Sequence, residues 1–267
     1  MIASPFPRLR AVIDVRPASW VQDGVGDFGS GVNALLPAGF EAYARILHPA
    51  ESASGDPVRW AAIAEWSGRL IHPRVQFAAI ERPVPGAGHG RRPWEEPPSD
   101  GELAAESLSA LCEVLAAHTS TPGRCWFGLW DGWGWIGDPP TGVAVLWATT
   151  DPSGPVPVTR RAPAFTREQL SGPRVRLPGR DFLLFEGPLA AAGEIGDRGE
   201  DYFFPQSPNL FWPEDRQWCV STEVDLNSTY LGGSTTLVSD LIANARLEVV
   251  PASLRDPIDM ASDHLNR

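Results

Sequence analysis

Proline and glycine interrupt this sequence at short intervals, which limits the chain to short helices and strands. The 267 residues include 27 prolines and 26 glycines, whereas about 5% and 7% are typical of globular proteins. Proline lacks a backbone N–H and fixes its φ angle, and glycine accepts conformations that end regular structure. We therefore expect short elements joined by many ordered loops. Because 43% of the residues are hydrophobic, the chain can still bury a sizeable core.

The pattern of apolar residues predicts an α+β fold. The clearest helix is predicted over residues 99–118, where Ser99 and Glu102 match a capping box. Two shorter helices are also predicted. One begins after Asp56, which is its expected cap, and the other begins after Ser234. Strands are predicted over residues 9–15, 37–48, 143–149, 174–177, 182–186, 218–226 and 247–250, and a hairpin over residues 125–136. A mixed, mainly antiparallel, loop-rich sheet with two or three helices fits this order of elements.

We expect a single domain over residues 1–267. Residues 151–163 are rich in proline and could hold a boundary, but the composition is similar on both sides of them. No apolar run approaches the roughly 18 residues that span a bilayer, and residues 1–10 do not have the pattern of a secretory signal. The three cysteines are odd in number and far apart, which is typical of a reducing compartment. The sequence therefore predicts a soluble, cytoplasmic protein without a membrane partner.

The charged residues exclude several classes of function. The formal net charge is −11, and all 22 basic residues are arginine. An acidic protein repels phosphate backbones, so a nucleic-acid partner is not expected. Without lysine, the chain has neither a P-loop nor a Schiff-base amine. The five histidines and three cysteines lack the spacings of zinc sites, so neither a metal nor a cofactor is predicted.

One glycine-rich segment matches a nucleotide-binding pattern in letters only. Residues 24–29 read G-x-G-x-x-G, but a dinucleotide site requires a strand before this segment and a helix opening within it. Glycine and proline follow at Gly31 and Pro37 instead of a helical pattern. We interpret the segment as a turn.

The tryptophans around Asp131-Gly132 are the strongest candidates for a binding surface. Trp126, Trp130, Trp133 and Trp135 fall within ten residues, with glycines between them. A strand glycine leaves room for a ligand to approach the backbone, and an indole ring can stack on a sugar, a peptide or an arginine. The alternative interpretation is an aromatic cluster packed across two strands.

A pair of carboxylates supports a different hypothesis. In a strand over residues 218–226, Glu223 and Asp225 leave the same face because side chains alternate. Such a pair, with Glu186 as a third candidate, could perform the acid–base chemistry of a glycosidase-like hydrolase. The alternative interpretation is a polar sheet face turned toward water.

The C-terminal quarter carries a resemblance to a known family. The residues from Trp212 to Val220 read W-P-x-D-R-x-W-C-V, and those from Thr229 to Ser234 read T-Y-x-G-G-S. This stretch resembles an uncharacterised family of actinobacterial proteins, which implies no activity. Leu36-Pro37 and the tryptophan content give a weaker resemblance to the SUKH toxin-immunity superfamily.

Two functions follow from these features. The first is a non-enzymatic recognition protein that binds a protein or small-molecule partner through large aromatic and arginine side chains; an immunity-like protein is one such case. Its candidate ligand-binding residues are Trp130, Trp133, Trp135, Trp212, Asp215, Arg216, Tyr230 and Ser234. The second is the hydrolase with Glu223, Asp225 and Glu186. The lack of a standard catalytic motif favours the first.

Overall fold

A nine-stranded antiparallel sheet forms the centre of the protein. The computed structural model describes residues 4–87, 90–137, 164–199 and 201–266. The strands are β1 (Arg10–Val12), β2 (Ala42–Leu47), β3 (Ala50–Glu51), β4 (Pro57–Val58), β5 (Cys125–Trp130), β6 (Val175–Leu177), β7 (Arg180–Gly187), β8 (Gly196–Arg198), β9 (Phe203–Pro205), β10 (Leu210–Pro213), β11 (Cys219–Thr222), β12 (Ser228–Gly233) and β13 (Val249–Ala252). The main sheet has the order β1-β7-β5-β10-β11-β12-β2-β13, and β6 also pairs with β7. The pairs β3-β4 and β8-β9 lie outside it.

Short helices cover both faces of this sheet. The α-helices of the described residues are α1 (Ser19–Gly24), α2 (Trp60–Ser67), α3 (Phe77–Ile80), α4 (Ala105–Ala117), α5 (Arg167–Ser171) and α6 (Thr235–Ala243). Three 3-10 helices are added to them, at Arg16–Ala18, Gly31–Ala34 and Leu189–Glu194. The predicted α+β fold with a mainly antiparallel sheet is confirmed. The predicted number of helices is wrong, because elements of one or two turns are too short to show a helical period.

The alternation of side chains along the strands divides the core in two. On the first face, Phe127, Phe185 and Phe211 are buried and pack toward α4, α6 and the 3-10 helix Leu189–Glu194. On the second face, Trp126 and Trp212 are buried with Leu184, Leu210 and Tyr230 against α1 and the 3-10 helix Gly31–Ala34. A third cluster surrounds Trp60 beneath α2 and α3. Within the described residues, none of the helices has the length and apolar character needed to cross a membrane.

The hairpin predicted over residues 125–136 is not formed. β5 ends at Trp130, and residues 131–136 are turns and irregular backbone. The reason is that β5 lies between β7 and β10, so both of its edges already carry hydrogen bonds. The chain after Trp130 therefore has no edge of β5 with which to pair.

The strand predicted over residues 218–226 is shorter than expected. β11 ends at Thr222, and Leu226 N–H donates to the carbonyl of Glu223 within the turn that leads to β12. Glu223 and Asp225 thus lie on a connection between strands rather than on a sheet face. The antiparallel pairing of β11 with β12 requires the chain to reverse at this point.

Two predicted helix starts are wrong for reasons that depend on tertiary structure. Gly101 adopts φ +72°, which no right-handed helix contains, so the capping box at Ser99 is not used and α4 begins at Ala105. Pro57 pairs in β4, and α2 begins at Trp60. The carboxylate of Glu248, from the chain before β13, accepts the N–H groups of Trp60 and Ala61 at 2.6 and 2.7 Å.

Other local predictions are confirmed. The Ser234 hydroxyl accepts the N–H of Leu237 and caps α6. The glycine-rich segment is a turn that follows α1, with Phe28 within it. β2, β6, β7 and β13 lie within or overlap the predicted strands. The strand predicted over residues 143–149 and the possible boundary at residues 151–163 fall outside the described ranges.

Candidate functional site

Two depressions lie on the second face of the sheet. The first, which we call the Phe28 groove, has a volume of about 250 Å³. Its walls are apolar and one end is charged; it is lined by Phe28, Leu35, Leu177, Phe182, Leu226, Ile258, Arg180, Glu223, Asp225 and Asp259, among others. The second, which we call the arginine cleft, has a volume of about 340 Å³ and is lined chiefly by Arg10, Arg124, Arg216, Trp126, Trp212, Glu186 and Glu214.

One arginine organises the charged end of the Phe28 groove. Arg180, the first residue of β7, donates from Nε and Nη2 to Oε1 of Glu223 at 2.8 and 2.5 Å. The same guanidinium also binds the carboxylate of Asp225. The side chain of Glu223 is 14% exposed, whereas that of Asp225 is 77% exposed. Glu223 therefore anchors the arginine, and Asp225 presents its carboxylate to solvent.

The tryptophans support this arginine from beneath. The guanidinium carbon of Arg180 lies 5.6 Å from the ring centroid of Trp130, and Trp133 packs edge-on against Trp130 at 5.5 Å. Asn209 accepts the indole N–H of Trp133 and the backbone N–H of Trp130 through Oδ1, both at 3.0 Å. Trp130 and Trp133 are half-buried. They form a fixed base for the charged end of the groove.

Further carboxylates surround the charged end. Asp259 lines the groove and is exposed. Burial raises the pKa of Asp100, and the nearby charge of Asp225 raises it further. With Arg180 already shared by two carboxylates, this end of the groove is acidic, and a cation is the favoured occupant.

Glu186 is not brought to the Glu223–Asp225 pair. It lies on β7 in the arginine cleft, where both Arg10 and Arg124 bind its carboxylate. Trp212 and Arg216 also line this cleft. The predicted hydrolase residues are thus divided between the two depressions.

The remaining candidate residues have contacts within the protein. Trp135 is half-buried beside Phe165. Asp215 accepts hydrogen bonds from Thr119 and Ser120; burial would raise its pKa, but these hydrogen bonds outweigh burial and lower it. Tyr230 is buried, with the guanidinium of Arg45 5.9 Å from its ring centroid. Ser234 is the cap of α6.

The three cysteines are protonated thiols, and the described part of the chain has no metal-ligating cluster. Burial raises the pKa of Cys112 and of Cys125 to about 12 and raises that of Cys219 as well, so all three remain protonated at neutral pH. Among the residues described, no group of three His, Cys, Asp or Glu side chains is placed to hold a metal ion.

Three residues of the Phe28 groove and its base escaped the sequence analysis. Phe28 lies in the segment interpreted as a turn, Arg180 lies between two predicted strands, and Asn209 lies outside the predicted helices and strands. The proximity of Arg180 to Glu223, 43 residues later, cannot be read from the local pattern. Phe28 carries no signal either, because a single apolar residue on a surface is ordinary.

Comparison with known proteins adds no assignment. No family model, curated protein or solved structure was found to match this chain. The resemblances to the actinobacterial family and to the SUKH superfamily therefore stay predictions.

Proposed function

We propose that this chain is a non-enzymatic recognition protein that binds a basic protein partner through the Phe28 groove. The observation that carries the proposal is that an exposed aromatic ring and an exposed carboxylate line one groove. Phe28 is 70% exposed, and the Asp225 side chain is more exposed still. A partner segment that carries an apolar side chain beside an arginine or a lysine would contact both.

The apolar part of the groove supports this occupant. Phe182, Leu177 and Ile258 form walls that exclude water from a small side chain. Phe28 packs over Gly179, whose φ is +77° and where an added Cβ would lie 3.1 Å from the ring. The absence of a side chain at Gly179 thus lets the ring lie against the β6–β7 turn while its other side faces solvent.

The charge of the whole molecule supports the same class of partner. The net charge is −11, and Asp225, Asp259 and Asp100 add a local negative field at the groove. Opposite charge on a partner accelerates its association and improves specificity. An immunity-like role, in which an acidic protein neutralises a basic one, is one example of such recognition.

The same geometry supports the hydrolase hypothesis less well. Glu223 and Asp225 do line a concave site, as a catalytic pair requires. However, one guanidinium binds both carboxylates, so neither is free to pass a proton to a substrate. The rings of Trp130 and Trp133 pack beneath Arg180, so they are not placed to stack on a sugar.

Titration with capped dipeptides tests the proposal. The probe is N-acetyl phenylalanyl-arginine amide, and its control is the phenylalanyl-glutamate equivalent, with binding followed by NMR shifts of the Arg180 Nε–H and the Phe28 backbone N–H. We expect saturable shifts at millimolar concentration with the arginine dipeptide alone. Phe28→Ala and Asp225→Asn should each weaken binding at least threefold.

A matched variant distinguishes binding in the groove from non-specific binding to an exposed aromatic ring. Phe204 is also an exposed phenylalanine, but it lies on β9 outside the groove. Phe204→Ala should leave the titration unchanged. Equal binding of the two dipeptides, or unchanged binding in Phe28→Ala, would overturn the proposal. Equal binding of a small cation such as phenethylamine would instead indicate a small-molecule occupant.

A further inference from the structure

The arginine cleft has a rigid aromatic floor. Trp126 on β5 and Trp212 on β10 are paired in register and are both buried. The indole N–H of Trp126 donates to Oε2 of Glu214 at 2.7 Å. Trp20 packs edge-on against Trp212 with ring centroids 6.1 Å apart. These contacts fix the two indoles beneath an open space of about 340 Å³, a volume within the range of small ligand sites. Only a small edge of the rings reaches this space, since Trp126 is 5% exposed and Trp212 is 1% exposed.

Two arginines are oriented over this floor by a shared carboxylate. Arg124 Nε donates to Oε1 of Glu186 at 2.9 Å, and Arg10 binds the other oxygen of the same carboxylate. Glu186 is only 14% exposed, whereas both arginine side chains are more than half exposed. A guanidinium has five N–H donors, so each arginine retains donors that Glu186 does not use.

The third arginine is held by an unusual backbone. Arg216 has φ +55° and is the one described residue other than glycine with a positive φ. This conformation is strained for a residue with a Cβ. Its guanidinium lies 5.5 Å from the ring centroid of Trp20. Within the described residues it has no carboxylate within ion-pair distance. Arg216 is therefore the least neutralised cation of the cleft.

The charges in and beside the cleft leave an excess of one cation when Arg16 is included. Arg10, Arg124 and Arg216 line the cleft together with the carboxylates of Glu186, Glu214 and Asp14. Of these acids, Asp14 is bound by Arg16, which does not line the cleft. A protein whose acidic residues outnumber its basic ones by 33 to 22 thus gathers three arginines around a pair of tryptophans.

From this arrangement we infer that the arginine cleft binds a small aromatic carboxylate. The planar guanidinium matches a carboxylate through two parallel hydrogen bonds. A flat ring would fill the space above the indole edges and beside Val12 and Pro17, which also line the cleft. The Phe28 groove favours a cation and this cleft favours an anion. The two proposals therefore rest on different residues, and a negative result for one does not affect the other.

Calorimetric titration with 2-naphthoate tests the inference. Acetate carries the charge without the ring, and 2-naphthylmethylammonium carries the ring with the opposite charge. We expect 2-naphthoate to bind at least tenfold more tightly than acetate, with affinity that falls as salt increases. The ammonium compound should not bind in the cleft.

Variants assign the binding to the cleft. Arg216→Asn removes the guanidinium at a position where asparagine tolerates a positive φ, so the fold should be kept and the melting temperature shows whether it is. We expect at least a fivefold loss of naphthoate affinity. Arg91→Ala removes the same charge from an exposed arginine outside the cleft and should change the affinity less than twofold. Equal losses in the two variants, equal affinity for acetate, or no binding of naphthoate would overturn the inference.

Discussion

The indole N–H of Trp133 donates to the side-chain oxygen of Asn209 at 3.0 Å, across 76 positions of sequence. The same oxygen accepts the backbone N–H of Trp130, and Asn209 Nδ2 donates to the carbonyl of Thr222 at 3.1 Å. A single buried amide thus joins the end of β5 to β10 and β11. Because Trp130 supports Arg180, this amide also determines where the charged end of the Phe28 groove lies.

Removing this amide should destabilise the protein. Asn209→Ala removes the partner of two half-buried N–H groups and of one buried carbonyl, and we expect a loss of about 3 kcal/mol in the free energy of unfolding. Trp133→Phe should cost about 1 kcal/mol. In the Asn209→Ala background the second change should cost almost nothing. Urea denaturation of the four proteins measures this coupling, and strictly additive losses would contradict it.

The ion pairs at Arg180 should differ in their importance for stability. Arg180→Met leaves the mostly buried Glu223 without its cation, and we expect a loss of about 2 kcal/mol. Asp225→Asn removes an exposed carboxylate and should cost less than about 0.5 kcal/mol. Thermal and urea denaturation compare the two variants. A large loss in Asp225→Asn would mean that both carboxylates are structural.

The start of α2 should depend on Glu248 and not on the nearby Asp56. Glu248→Ala exposes the N–H groups of Trp60 and Ala61, at a cost of about 2 kcal/mol. Asp56→Ala, at the residue that the sequence pattern suggests as cap, should cost less than about 0.5 kcal/mol. Urea denaturation measures the loss of stability in each variant. A larger loss in Asp56→Ala than in Glu248→Ala would show that Asp56, and not Glu248, caps α2.

Acid should destabilise the protein through His48. Burial lowers the pKa of His48 to about 4 from its ordinary 6.5, although its hydrogen bond to the Ser99 carbonyl opposes this. The unfolded chain therefore takes up the proton at higher pH than the folded chain does. Stability is complete above pH 6.5 and falls toward pH 4, by roughly 3 kcal/mol in total.

Urea denaturation between pH 7 and pH 4.5 measures this loss, and His48→Gln is the control. The variant should be less stable at pH 7, because the contact of Nε2 with the Thr229 hydroxyl is altered, but it should lack the loss of stability toward pH 4.5 that His48 causes. Burial raises the pKa values of Asp100, Glu102 and Glu248, so these carboxyls favour the folded state as the pH falls, and they do so in both proteins. The difference between the two pH profiles therefore measures the effect of His48, and identical profiles would exclude His48 as the cause.

Part of the candidate site was visible in the sequence, although the reason for its assembly was not. Trp130, Trp133, Glu223 and Asp225 were all selected as candidates, and the structure places them around Arg180. The expected hairpin and the expected long strand, which were to bring them together, are both absent. Instead, Arg180 on β7 binds both carboxylates, and the side-chain amide of Asn209, just before β10, orients the two tryptophans.

The sequence by itself determined the short elements, the antiparallel α+β class and the cap of α6, because these depend on residues within a few positions of one another. Turn residues, alternation and the Ser234 hydroxyl act through local backbone geometry, which is the same in any fold. Only the tertiary structure decided that Glu248 caps α2, that Arg180 holds Glu223, and that Trp126 and Trp212 lie beneath three arginines. These contacts follow from the order and register of strands distant in sequence, and many different orders would satisfy the same local pattern.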